Sequence, residues 1–219
     1  MKLLRRGTQT FSLLVGLAAC QLVTAGSGPE PGTCIDPQEF ELAALINQYR
    51  ADNALPAIPV STVLTTVAQW HGEDARLNGG TIFGGGCNLH SWSTTRPELW
   101  VGGCYLPDHS NASLMWEKPN EISAGSYTAT GFEIAYVGQG VLSNILTAWQ
   151  NSPGHNAVLL NEGVWENYSW QAMGVGLAPA GDDRYAYVWF STAADPSAPL
   201  DVCAMEPMIF DDRFEQLLP

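Results

Sequence analysis

The chain has 219 residues, with 9 Lys and Arg against 22 Asp and Glu and a formal net charge of −13. Three of the nine basic residues fall in the first six positions, so the rest carries six against 22, a net −16. That leaves no basic face of the kind that nucleic acid or an anionic membrane surface requires.

Lys2, Arg5 and Arg6 precede an apolar run from about Phe11 to Ala19, too short for a permanent bilayer span and typical of a signal peptide. The run ends in Leu17-Ala18-Ala19-Cys20, which resembles a bacterial lipobox and implies cleavage before Cys20 and acylation of its thiol. Residues 1–20 are then the signal and Cys20 a lipid anchor, the one route to a membrane that the sequence offers. Val23-Thr24-Ala25 is a small-residue site that a general signal peptidase could also cut, giving a freely secreted protein, and both outcomes stay open. Export follows from either.

After the signal, roughly 195 residues remain, enough for one domain with a substantial core. Setting Cys20 aside leaves Cys34, Cys87, Cys104 and Cys203, an even set suited to two disulfides in an oxidising compartment. Three pairings are possible. Those expected are Cys87 with Cys104, closing a local loop, and Cys34 with Cys203, tying together the ends of the domain.

Residues 21–35 include Gly26-Ser27-Gly28-Pro29-Glu30-Pro31-Gly32, too poor in apolar side chains to pack, and read as a flexible tether to a domain spanning 36–203. Asp36 as N-cap, Pro37 at the first helical position and Glu39 at the third open a helix carrying Leu42, Leu45, Ile46 and Tyr49 at helical spacing. Ser61 caps a second helix with the stripe Leu64, Val67, Ala68, His71 and Ala75, expected to end at Gly79-Gly80. From Thr81 to Gly140 the absence of a sustained period predicts loops, a short helix and one strand. A third helix is expected at about 140–151, with Val141, Leu142, Ile145, Leu146 and Trp149 on one face and Pro153-Gly154 as its stop.

Ala172 to Ala178 and Tyr185 to Thr192 are β-rich and joined by turn residues, which predicts an antiparallel hairpin. Helices before and after such strands indicate an α+β layered domain. Residues 204–219 form a tail. Its stretch Met208 to Glu215 resembles a short tail found after secreted domains in some bacteria, with Arg213 where Gly is usual.

Several separated segments, in order, resemble the CAP superfamily, also called the SCP domain. They are Ile46-Asn47-Gln48-Tyr49-Arg50, Ala68-Gln69-Trp70-His71, Ala148 to Leu160 with Ser152-Pro153-Gly154-His155, Gly174-Val175-Gly176, and Tyr187-Val188-Trp189-Phe190. The likeness runs from about Glu39 to Ser191. It implies an α-β-α sandwich, with helices flanking a central antiparallel sheet, and a cleft lined by two histidines and acids that often takes a divalent metal such as zinc. By motif the histidines are His90, in Asn88-Leu89-His90-Ser91, and His155.

The acid is displaced: the common bacterial pattern is Gly-Glu-Asn-Ile-Ala, whereas Gly131-Phe132-Glu133-Ile134-Ala135 carries its carboxylate one place later. Glu133 is the candidate third metal ligand, and on a strand a one-residue shift turns it to the other face. His71, on an apolar helical stripe, reads as a hydrogen-bonded core histidine, and Glu121 as a solvated acid or spare ligand.

No Gly-x-Ser-x-Gly elbow or His-Glu-x-x-His motif accompanies these residues, so no catalytic residue is assigned. The expectation is an exported, monomeric binding or interaction module for an extracellular or envelope ligand. A metal-dependent hydrolase of envelope polymers and a lipid or sterol carrier are the alternatives.

Overall fold

The computed structural model describes residues 29–204. The expected signal with Cys20, and the expected tail beyond 204, lie outside them. No helix among the described residues is long and apolar enough to cross a membrane.

Helix α1 spans Pro37–Asp52 and begins as its sequence dictates. Asp36 accepts from the Gln38 backbone N–H at 2.7 Å, and Glu39 reaches back to the Asp36 N–H at 3.0 Å. The three polar residues of Asn47-Gln48-Tyr49-Arg50 that point inward are tethers. Asn47 brackets Ile58 through both backbone groups, Tyr49 donates to Asn156, and buried Arg50 donates to Pro56, Leu159 and Asn161.

Helix α2, Thr62–Ile82, is capped by Ser61, whose hydroxyl accepts from the Leu64 N–H. It continues past the expected Gly79-Gly80 stop. A Cβ on Gly79 would lie 2.7 Å from the Tyr185 hydroxyl and 3.1 Å from Phe83, so this glycine serves close packing inside the last turns rather than termination.

The low-period region holds two short helices, α3 (Ser113–Trp116) and α4 (Lys118–Ile122), and then strand β1 (Phe132–Gly138). Helix α5 covers Leu142–Gln150, and helix α6, Pro153–Leu160, follows almost at once. Pro153 therefore opens a helix as well as closing one, because a proline at the first helical position has no N–H to leave unpaired. A 3₁₀ turn at Gly163–Trp165 leads to β2 (Ala172–Ala180) and β3 (Asp183–Ser191). These form an antiparallel hairpin turning at Gly181-Asp182, with Gly181 at φ +67°.

The sheet order is β1-β3-β2, antiparallel throughout, with helices on both faces, so the fold class is α+β. One face carries Ile134, Val175, Val188 and Phe190 against α1, α5 and α6. The other carries Ala135, Tyr187 and Trp189 against α2. A Cβ on Gly174 would sit 2.0 Å from the Leu64 carbonyl carbon, and one on Gly176 2.2 Å from that of Ala68. Only glycine lets α2 lie directly on β2.

The disulfides join Cys34 to Cys203 and Cys87 to Cys104, which fits a domain folded outside a reducing compartment. The tether expected over 21–35 gives way to ordered structure before its end. Ile35 is buried and exchanges backbone hydrogen bonds with Asp201 and Cys203, and Gly32 donates to Gln69. One apolar side chain and a strand-like bridge to the chain's other end were enough to recruit this stretch.

Candidate functional site

The site begins on α2, where His71 and Asp74, one turn apart, face the loop that follows the helix. Asp74 accepts from the Ser93 backbone N–H at 2.7 Å and from its hydroxyl, while His71 Nε2 donates to the Ser91 carbonyl at 3.0 Å. The same loop is pinned from its other side. Ser91 accepts from the Tyr105 N–H, Trp92 and Gly103 exchange backbone bonds, and the Cys87–Cys104 disulfide closes the base. Asn88 accepts from the His90 N–H at 3.0 Å, which sets the turn that presents His90.

Glu133 enters from β1, opposite Trp189, on the α2 face of the sheet. Its two oxygens are fully engaged: Oε1 meets His71 Nδ1 at 2.5 Å and Oε2 meets His90 Nδ1 at 2.6 Å, with the carboxylate side chain wholly buried. Burial pushes this carboxyl up. The charges and hydrogen bonds of His71 and His90 more than reverse that, holding it below its ordinary value and ionised.

The His71 ring is itself stacked between Trp92 and Tyr187, both at 4.0 Å between centroids. Such aromatic faces favour positive charge near them.

His90 is the opening of this network toward solvent, its side chain 15% exposed against none for His71 or Glu133. His155, half-buried in the first turn of α6, bonds the Ser152 hydroxyl through Nδ1 at 2.9 Å. Burial, and then the charge of His90 acting across the gap, push His155 down from its ordinary value, so its ring is neutral at neutral pH. Each of the two imidazoles thus commits Nδ1 to a protein partner, and neither Nε2 has a hydrogen-bond partner among the described residues.

As a metal centre this set is short of ligands. Glu133 stands as the wholly buried partner of two histidines, one on each oxygen. Among the described residues no three His, Cys, Asp or Glu side chains gather closely enough to hold an ion. His90 and His155 by themselves offer two imidazole nitrogens, fewer than the three protein ligands of a typical catalytic zinc site.

Glu121 accepts from buried Lys118 at 2.7 Å and from the Val101 N–H. His109 is exposed and shares a hydrogen bond with the Tyr105 hydroxyl, while the Tyr105 ring packs edge-on against His90. Trp92, Trp100 and Trp170 are buried in the core, and Trp116 is exposed. Two shallow surface cavities lie elsewhere, one against α1 beside Phe40 and Ile58, the other beside Leu55 and Tyr168.

The position before Glu133, where the bacterial pattern has its carboxylate, is Phe132. It packs in an aromatic cluster with Trp165, Tyr168 and Trp170, at ring separations of 5.2 to 5.6 Å. The one-residue shift has put an aromatic on one face of β1 and the acid on the other. The network residue that sequence reasoning set aside is His71. Its position on a buried stripe was visible, but its partner lies 62 residues away.

No family model matches the sequence, and no curated protein matches it. Solved structures do. An outer surface protein from Borrelia burgdorferi aligns over 72% of this chain and 96% of its own, at 20% identity and a TM-score of 0.45. A cysteine-rich secretory protein from Staphylococcus aureus aligns over 71% of this chain at 15% identity and a TM-score of 0.41, and the match covers 38% of that protein's length.

Proposed function

We propose that this chain is an exported binding module of the CAP type, held at the envelope by a lipid on Cys20 or released, whose cleft imidazoles His90 and His155 take a divalent cation such as zinc. The observation that supports it is that each ring has Nδ1 bonded to a protein oxygen and Nε2 without a partner among the described residues. Histidines that bind metals are oriented in this way by partners on their second nitrogen. With two protein nitrogens, the rest of the ion's coordination falls to water or to a donor atom of the extracellular ligand, which suits capture of a ligand through the ion. A bound cation would supply positive charge and Lewis acidity at the cleft mouth.

Hydrolysis is the weaker reading, because the one acid at the site is buried with both oxygens occupied and is not free to act as base toward a cleft water.

The test is a zinc titration of the purified chain by calorimetry, followed by assays on peptide, ester and glycan substrates with zinc present. Saturable binding of one ion with no turnover dependent on His90 supports the binding module. Turnover that disappears in His90→Ala overturns it.

A further inference from the structure

We propose that His71, a core residue with a wholly buried side chain, is a positioning residue that fixes the tautomer of His90 through Glu133 and so keeps the His90 Nε2 lone pair available to the cleft. The inference rests on the cleft reading above for its purpose, but not for its logic, which is a matter of hydrogen-bond supply.

The chain of bonds runs from the Ser91 carbonyl to His71 Nε2, from His71 Nδ1 to Glu133 Oε1, and from Glu133 Oε2 to His90 Nδ1. A carbonyl oxygen only accepts, so His71 carries a hydrogen on Nε2. With His90 neutral, two placements of the next proton are then possible. If His71 also carries one on Nδ1, the carboxylate is an acceptor at both oxygens, and His90 donates from Nδ1. Even if the proton sat on Glu133 Oε1 instead, it would be donated to His71 Nδ1, and Oε2 would be the carbonyl oxygen of a neutral acid, which again accepts from His90 Nδ1.

Both placements leave His90 with its hydrogen on Nδ1 and its lone pair on Nε2. The backbone carbonyl of Ser91 thus sets the tautomer of its own neighbour by a path through the core. All three inner groups are shielded from water, which would otherwise supply alternative donors. His71 and Glu133 have fully buried side chains, and Ser91 is 1% exposed. The stack of Trp92 and Tyr187 on the two faces of His71 holds the ring in the plane that both of its bonds need.

The direct test is two-bond ¹H–¹⁵N correlation of the histidine rings at about pH 8, where an ordinary imidazole is neutral. It is run on the wild type, on His71→Phe, which keeps the stacked ring and removes both bonds, and on His71→Asn, whose amide can still donate to Glu133. Zinc affinity is measured on the same samples. The wild type should show His90 protonated on Nδ1 only. His71→Phe should show both tautomers and bind zinc roughly 10- to 100-fold more weakly, the usual effect of losing a partner behind a ligand. His71→Asn should restore both readouts.

Wild-type His90 protonated on Nε2 overturns the proposal, as does a folded His71→Phe with wild-type tautomer and affinity. If His71→Phe does not fold, the wild-type spectrum and the His71→Asn spectrum still decide. A wild type that binds no zinc but shows the tautomer switch would remove the cation reading and leave the relay standing.

Discussion

The two faces of strand β1 solve opposite problems with adjacent residues. Phe132, Ile134 and Tyr136 look toward α1, α5 and α6, where the surroundings are mainly aliphatic and aromatic. Glu133 looks toward α2, where a charged group, two imidazoles and an aromatic stack share one enclosed volume. The first face tolerates change in proportion to lost area. The second is all or none, because removing one member strands another without water or partner.

The largest expected effect breaks that contrast open. Glu133→Ala strands His71 and should destabilise the domain by about 3–5 kcal/mol in urea denaturation. A His71→Phe/Glu133→Leu double variant should recover most of the loss, since the need for the pair goes with it.

Second is a pH effect at Glu39, which accepts from Asp36, Gln69 and Leu177 yet is driven up to about 7 by its burial. Its folded value exceeds its unfolded one, so above pH 7 the ionised, buried group weighs on the native state. Stability attributable to it therefore rises as pH falls from about 7 toward 4.5, by on the order of 3 kcal/mol. The stability of wild type relative to Glu39→Gln should climb across that window. Glu133 acts in the opposite sense: its depressed value stabilises the fold above the ordinary carboxylate range, and that contribution is lost in acid.

Next in size, Gly174→Ala presses a methyl onto the Leu64 backbone and should destabilise by about 1–3 kcal/mol, read from the thermal midpoint. Smallest is Ile134→Val on the apolar face, at about 0.5–1.5 kcal/mol, beside its much more sensitive neighbour Glu133.

How much of this the sequence revealed depended on the distance over which each signal acts. The start of α1 was legible because its cap, proline and third-position acid are neighbours. The hairpin was legible for the same reason, although β3 begins at Asp183, two residues earlier than its β-rich run suggested. Gly79 and Pro153 misled, because a glycine required by Tyr185 looks like a helix stop, and a proline that opens α6 looks like the end of α5. At the site, motif spacing singled out His90, Glu133 and His155. It did not reveal that both Glu133 oxygens are partnered, because that follows from His71, whose burial was legible while its partner was not.

The two-imidazole cleft stands or falls on competitive zinc titration of four proteins whose folding is matched by thermal midpoint: wild type, His90→Ala, His155→Ala and the double variant. One ion per wild-type chain, a large loss of affinity in each single variant and no binding at the cleft in the double are the expected results. Equal affinity in all four proteins, or none in the wild type, would contradict a cation held by His90 and His155.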